Sequence, residues 1–284
     1  MHPADGSQHS SRTLAVAQSF GRRAPDYARH AHLQRHAAET LATFLREHGG
    51  LPDTGQTDTG QTVEIGCGTG LLTELLHEPG RPYLATDLSP EMLAQCRARL
   101  GGRAGLSFAV LDGQEAAFDD QDGDQDGQDA AFAGPPAAIV SNLACQWFAN
   151  PVAGIVNLAR QTPLFAFSVP LRGSFPEWEA AFAALGRASG LLPLPDEAAI
   201  LSALEALAPS SQGRLVHRTV HRIEERQQHF PSAKAFADSF RLIGADQPRP
   251  GYAPAPIRPV LKRFAQGLDA TARILYCLIM REKL

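Results

Sequence analysis

Thr62-Val63-Glu64-Ile65-Gly66-Cys67-Gly68-Thr69-Gly70 is a short apolar, β-branched run that ends in three alternate glycines. It predicts a strand over Thr62–Ile65, a glycine-rich turn, and a helix over Leu71–His77. The G-x-G-x-G spacing is not the G-x-G-x-x-G of a dinucleotide site, and no Lys-Ser/Thr pair follows to make a P-loop. Gly66, Gly68 and Gly70 let the main chain approach a ligand closely and take positive φ. Glu64 stands two residues before the first glycine. An acid there would repel a pyrophosphate and suits a ligand whose nearby group is a cation.

Further along the chain, strand and helix signals alternate. Tyr83–Thr86 reads as a strand, followed by a helix that opens at Ser89-Pro90-Glu91 with a capping serine and a proline in the first turn. Leu106–Leu111, Ala137–Ser141 and Leu164–Val169 read as further strands, with a helix over Pro151–Arg160. Strands separated by single helices imply parallel pairing with right-handed crossovers. A sixth strand lies within Leu215–His229 and a seventh over Ala272–Met280. The expected fold is α/β, a doubly wound, mostly parallel seven-stranded sheet of Rossmann-like type with a helical cap.

Two more acids fall at strand ends. Asp87, followed by Leu88, closes the second strand, where a carboxylate accepts from both hydroxyls of a ribose. Asp112, followed by Gly113, closes the third and can meet an adenine amino group. Each alone reads equally well as a helix cap or a loop carboxylate; three acids at three consecutive strand ends are hard to produce by chance. S-adenosylmethionine has no phosphate and carries an ammonium and a sulfonium. It is the cofactor that Glu64, Gly66, Gly68, Gly70, Asp87, Leu88, Asp112 and Gly113 are expected to bind.

The chain divides, on this reading, into a lead without structure over 1–12, an N-terminal helical lid over 13–50, the cofactor-binding core over 60–172, and the rest of the sheet with its cap over 173–284. The lid is expected as a helical stretch over Leu14–His48, ended by Gly49-Gly50-Leu51-Pro52. The stretch between the last two strands far exceeds the 2–5 residues of an ordinary hairpin loop and supplies the cap.

Composition narrows the function classes. The run 119–129, DDQDGDQDGQD, holds six aspartates and no base; without it the net charge of −4 becomes +2. Its resemblance to a calcium loop fails where the bidentate acid belongs, at Ala133, so it reads as a solvated insertion. Residues 213–263 hold ten Lys/Arg against four Asp/Glu, an excess that suits an acidic partner, although a solvated helical face explains it as well. Cys67, Cys96, Cys145 and Cys277 form no C-x-x-C pair and read as reduced, buried thiols. His30, His32 and His36 read as solvated side chains, and no metal site is expected. No apolar run approaches the ~20 residues of a membrane span, and the N-terminus lacks a signal-peptide core. A cytoplasmic protein without nucleic acid or membrane partners is expected.

Several stretches resemble one family, the malonyl-[acyl-carrier protein] O-methyltransferases of biotin synthesis. They are Phe20-Gly21-Arg22-Arg23-Ala24-Pro25-Asp26-Tyr27 with His30-Ala31-His32-Leu33-Gln34, Ser141-Asn142-Leu143-Ala144-Cys145-Gln146-Trp147, Gly173-Ser174-Phe175-Pro176-Glu177-Trp178, and His229-Phe230-Pro231 leading to Leu242-Ile243-Gly244-Ala245. The glycine loop is shared by the whole class I methyltransferase superfamily; the Ser141–Trp147 element is far more specific. The resemblance implies methyl transfer to the free carboxylate of a malonyl thioester, with an acyl carrier protein as partner. Such a carboxylate, with a pKa of about 4, is ionised at neutral pH and needs no general base. From their positions Tyr27, Asn142 and Gln146 are the expected catalytic residues, Asn142 also touching the cofactor, and Trp147 would wall the pocket. Three alternatives remain: a methyltransferase for another small carboxylate or a quinone, an arginine hydroxylase like the assembly factors of respiratory complex I, and a non-catalytic cofactor-binding subunit.

Overall fold

A computed structural model describes residues 4–52, 60–118, 134–207, 215–247, 252 and 257–283. The aspartate run and Arg249 lie outside them. Seven strands form one sheet in the order β3-β2-β1-β4-β5-β7-β6. The first five, β1 (Thr62–Ile65), β2 (Tyr83–Asp87), β3 (Leu106–Val110), β4 (Ala138–Asn142) and β5 (Leu164–Pro170), pair in parallel. β7 (Leu268–Lys283) runs antiparallel to β5, and β6 (Leu215–Phe230) antiparallel to β7. The fold expected from the sequence is thus the fold found, with strand ends within a residue or two except for β7, which is longer at both ends.

The parallel strands are nearly all apolar because both faces are covered. On one face Ala85, Val140 and Ala166 pack with α2 (His32–Glu47), α3 (Leu71–Leu76) and α4 (Pro90–Leu100). On the other, Val63, Ile65, Ile139 and Phe165 pack with α5 (Pro151–Arg160) and α7 (Glu197–Glu205). Alternation along β1 therefore puts Glu64, alone of its neighbours, on the α3 face. The predicted start of α4 is confirmed in detail: the Ser89 hydroxyl accepts from the Met92 N–H and Pro90 occupies the first turn.

A third core belongs to the cap. Trp178 and Phe182 of α6 (Pro176–Ala183) pack on Phe236 of α8 (Ala233–Leu242) and Val260 of α9 (Arg258–Arg263). The Gly173–Trp178 stretch anchors this unit to β7. The Ser174 hydroxyl donates to the carbonyls of Leu171 (2.9 Å) and Arg273 (3.1 Å), and Glu177 accepts from the Thr271 N–H (3.1 Å) and hydroxyl (2.7 Å). The four cysteines are free and buried. No described helix is long and apolar enough to cross a membrane.

The N-terminal region departs from expectation in two ways. The lead over 1–12 is helical from Ala4, because α1 runs unbroken over Ala4–His30. Extending a formed helix costs far less than starting one, and no proline stands between Ala4 and Thr13. The expected single helical stretch is also broken at Ala31, whose ψ of 51° turns the chain between α1 and α2. Pro25 sits inside α1 without ending it.

α1 is held at one turn, Ser19–Gly21, between α4 and the segment after α8. On one side Gly21 lies so near Glu91 at the start of α4 that an added Cβ would stand 2.6 Å from Oε2. On the other, Gly244 (φ +78°), just after α8, approaches the Ser19 carbonyl to a distance that no side chain would allow. The Ser19 hydroxyl also donates to Asp246 at 3.0 Å.

Candidate active site

Beneath α1, at the C-terminal ends of β1, β2 and β4, lies a cavity that is partly open to solvent. Its floor is the glycine turn. Gly66, Gly68 and Gly70 all have positive φ, and a Cβ on Gly66 would collide with the Ala144 Cβ at 2.4 Å. The cavity is lined by Glu64, Asp87 and Asp112 and by no lysine, arginine or histidine among the described residues. Ring walls come from Phe20, Tyr27, Trp147 and Phe148, with Phe20 edge-on to Trp147 at 5.2 Å.

The three acids differ. Asp87 is fixed by the turn it faces: its Oδ2 accepts from the Gly68 N–H and its Oδ1 from the Ser89 N–H, both at 2.8 Å. Each oxygen keeps a lone pair for a hydroxyl donor. Burial outweighs those bonds and pushes its pKa up to about 6. Glu64 is 1% exposed, and its Oε2 takes the Thr73 hydroxyl at 2.5 Å and the Tyr83 hydroxyl at 2.8 Å. Its carboxyl, pushed up to about 7 mainly by burial, thus ties α3 and β2 beneath the turn while adding negative potential to the cavity. Asp112 accepts from the Gln114 N–H at 3.0 Å. Leu88 and Gly113 also line the wall, and Gly68 does so beside the Tyr27 ring.

Of the expected catalytic residues, only Tyr27 and Asn142 reach the cavity. Burial, then the charge of Asp87, raises the Tyr27 phenol well above its ordinary range, so it remains a donor at any working pH. Asn142 has both ends of its amide engaged: Nδ2 donates to the Gln34 carbonyl of α2 at 3.0 Å, and Oδ1 accepts from Ser168 at 2.7 Å. It couples β4, β5 and α2. Gln146 is not part of the lining. It folds back so that Nε2 donates to the Leu143 carbonyl at 2.6 Å, satisfying a turn in which Leu143 itself has φ +48°. The catalytic expectation for Gln146 is corrected accordingly. Several wall residues went unassigned from the sequence, Phe20 and Gln34 among them. Both lie within the N-terminal stretches that carried the resemblance, but no periodicity distinguished them from packing residues.

The lining suits S-adenosylmethionine on chemical grounds. Buried carboxylates without a compensating base favour a cationic ligand that offers hydroxyl donors, and a turn that excludes any Cβ admits a ligand against bare main chain.

A family model described as a methyltransferase domain matches residues 63–161. A doubly wound sheet with this acid-lined cavity at the glycine turn is thus that of an S-adenosylmethionine-dependent methyltransferase. Relatives extend the match beyond the core. The chain is 33% identical over 271 residues to a biotin biosynthesis bifunctional protein of Bordetella avium, which covers 92% of this chain and 51% of that one. It is 29% identical over 284 residues to the malonyl-[acyl-carrier protein] O-methyltransferase of Magnetococcus marinus, covering 94% and 92%. With that of Anoxybacillus flavithermus it shares 30% over 236 residues, covering 81% and 79%. The chain therefore spans about half of the bifunctional relative and most of the other two. It belongs to the malonyl-[acyl-carrier protein] O-methyltransferase family. These matches lend the arginine-hydroxylase alternative no support.

Proposed function

We propose that the protein methylates the free carboxylate of a malonyl thioester carried by an acyl carrier protein, an early step of biotin synthesis in the cytoplasm. The observation that supports this most is the reach of the family match, which takes in lid, cofactor core and cap together. When bound, S-adenosylmethionine would supply an activated methyl group on a sulfonium, with the neutral thioether as leaving group, to an oxygen of the carboxylate.

No proton has to move, so the residues need only bind, align and exclude water. Asp87 holds the ribose hydroxyls and Asp112 the adenine amino group. Glu64 and Asp87 set the negative potential that draws a cation in, and Gly66 and Gly68 give it room, whereas Gly70 packs against Cys96 and Leu100 of α4 and lets the turn close there. Phe20, Tyr27 and Trp147 close the cavity over the reacting centre, with the Tyr27 hydroxyl available to a carboxylate or thioester oxygen. Asn142 acts by position, holding Gln34 beside the end of β4.

For the carrier, the structure leaves a reduced basic surface. Arg241 and Lys234 both pair with Asp238, whereas Arg22 and Arg23 on α1 are exposed. The deciding experiment follows labelled methyl transfer from S-adenosylmethionine to malonyl-carrier protein, malonyl-coenzyme A, free malonate and acetyl-carrier protein. A base-labile ester on the malonyl thioesters and none on acetyl-carrier protein is expected. Transfer to acetyl-carrier protein at an equal rate, or to none of the four, would overturn the assignment.

A further inference from the structure

A second cavity opens beside the first, at the C-terminal end of β5, between the α1–α2 junction, the ends of β6 and β7, and α8. The two share one wall residue, Gln34, the residue whose carbonyl Asn142 holds. Their linings are opposite in kind. The cofactor cavity has three acids and no base, whereas the second has Arg226, His30 and His32 and no aspartate or glutamate among the described residues. Its remaining surface is chiefly apolar, with four phenylalanines including Phe175 and Phe236.

We infer that this cavity receives the acyl-thioester end of the acceptor and that Arg226 holds the carboxylate to be methylated. The inference rests on the carboxyl-methyltransferase reading above and assigns a part of the site that the family match does not.

The case for Arg226 is geometric. It lies on β6 and is half-buried. The nearby carboxylate, Glu224, is already satisfied, its Oε1 bonded to His36 at 2.8 Å and its Oε2 to the Tyr276 hydroxyl at 2.9 Å. Arg226 Nη1 lies 3.4 Å from His36 Nε2, the nitrogen that faces Glu224. The guanidinium has no carboxylate within 4 Å among the described residues, although its charge acts on Glu224 and its Nη1 bonds weakly to His36; the donors left over can take a carboxylate in two-point fashion. Phe175 is kept at φ +58° by its N–H donating to the Thr271 carbonyl at 2.6 Å, a backbone state a phenylalanine adopts only under constraint. That constraint sets an aromatic wall along the path of the methylene and thioester groups.

A cation here does two things the reaction requires. It fixes one carboxylate oxygen while the other faces the methyl group across Gln34. It also distinguishes substrate from product, because the methyl ester carries no charge and loses the ion pair that held its precursor.

The test uses Arg226→Gln and Arg226→Lys, each compared with wild type in steady-state methyl transfer to malonyl-carrier protein. Calorimetry of S-adenosylmethionine binding reports whether the first cavity is intact, and acetyl-carrier protein serves as an inhibitor that lacks the carboxylate. Arg226→Gln is expected to raise the KM for malonyl-carrier protein about 10- to 100-fold, the range set by a lost charge-assisted bond. Cofactor affinity and inhibition by acetyl-carrier protein should stay within about twofold of wild type, and Arg226→Lys should recover part of the KM. An unchanged malonyl KM in Arg226→Gln overturns the inference alone. So does a loss of acetyl-carrier inhibition in step with the malonyl KM, which would mean that Arg226 only shapes the cavity. Should Arg226→Gln lose cofactor binding, Arg226→Lys decides by whether it keeps malonyl turnover while favouring malonyl over acetyl less than wild type. Absence of malonyl transfer in wild type would instead refute the reading of function on which the inference stands.

Discussion

Glu64 gives a quantitative prediction because its burial is near complete and its partners are known. Its carboxyl is pushed from 4.5 to about 7, so the folded protein holds a proton that the unfolded chain releases. Above the unfolded pKa the unfolded state therefore binds fewer protons, and stability falls as pH rises from 4.5 towards 7. At 1.36 kcal/mol per unit the loss amounts to at most about 3 kcal/mol, complete by pH 8. Glu64→Gln keeps an acceptor for Thr73 and Tyr83 and removes the titration. Its effect on stability at any single pH includes the cost of a new buried amide. The difference between variant and wild type, followed across pH, isolates the carboxyl. Urea unfolding of both proteins without cofactor, from pH 5 to pH 8, should show that difference moving in favour of the variant by up to about 3 kcal/mol. A difference that stays flat would show that the folded carboxyl titrates normally, and that the cavity's negative potential does not come at the expense of the fold.

Two further outcomes follow from the same cavity. Asp87→Ala should weaken S-adenosylmethionine binding by one to two orders of magnitude in calorimetry, since a lost pair of charge-assisted bonds is worth roughly 1.5–3 kcal/mol; in wild type, affinity should fall as pH drops through about 6, where the carboxylate gains its proton and no longer favours a cation. Asn142→Ala leaves the Gln34 carbonyl and the Ser168 hydroxyl without their partner. It should cost about 1–3 kcal/mol in urea unfolding and raise the acceptor KM more than the cofactor Kd.

The parallel half of the molecule could be read from the sequence because each of its signals is local. The strand over Thr62–Ile65, the three glycines, the cap at Ser89 and the acid at each strand end are all decided by neighbours within a few residues. Asn142, Gln146 and Arg226 are decided otherwise. Asn142 serves a carbonyl far away in sequence, Gln146 turns inward to a strained turn, and Arg226 takes its meaning from Glu224 being occupied by His36 and Tyr276. The histidines read as solvated show the same limit: His36 is bonded to Glu224, while His30 and His32 face the second cavity. The helical lead from Ala4 eluded the sequence for a related reason, since its polar composition says nothing about a helix already nucleated downstream.

α1 touches α4 through Gly21 and the segment after α8 through Gly244, so a single rigid element rests on both halves of the catalytic apparatus. A ligand in either cavity that favours this placement of the helix shares the cost of ordering it with a ligand in the other. The two binding equilibria are then thermodynamically linked, and by the same factor in each direction. A carrier-bound substrate would tighten the hold on the cofactor as much as the cofactor tightens the hold on the substrate, and the spent pair, one having lost its positive charge and the other its negative, would loosen together.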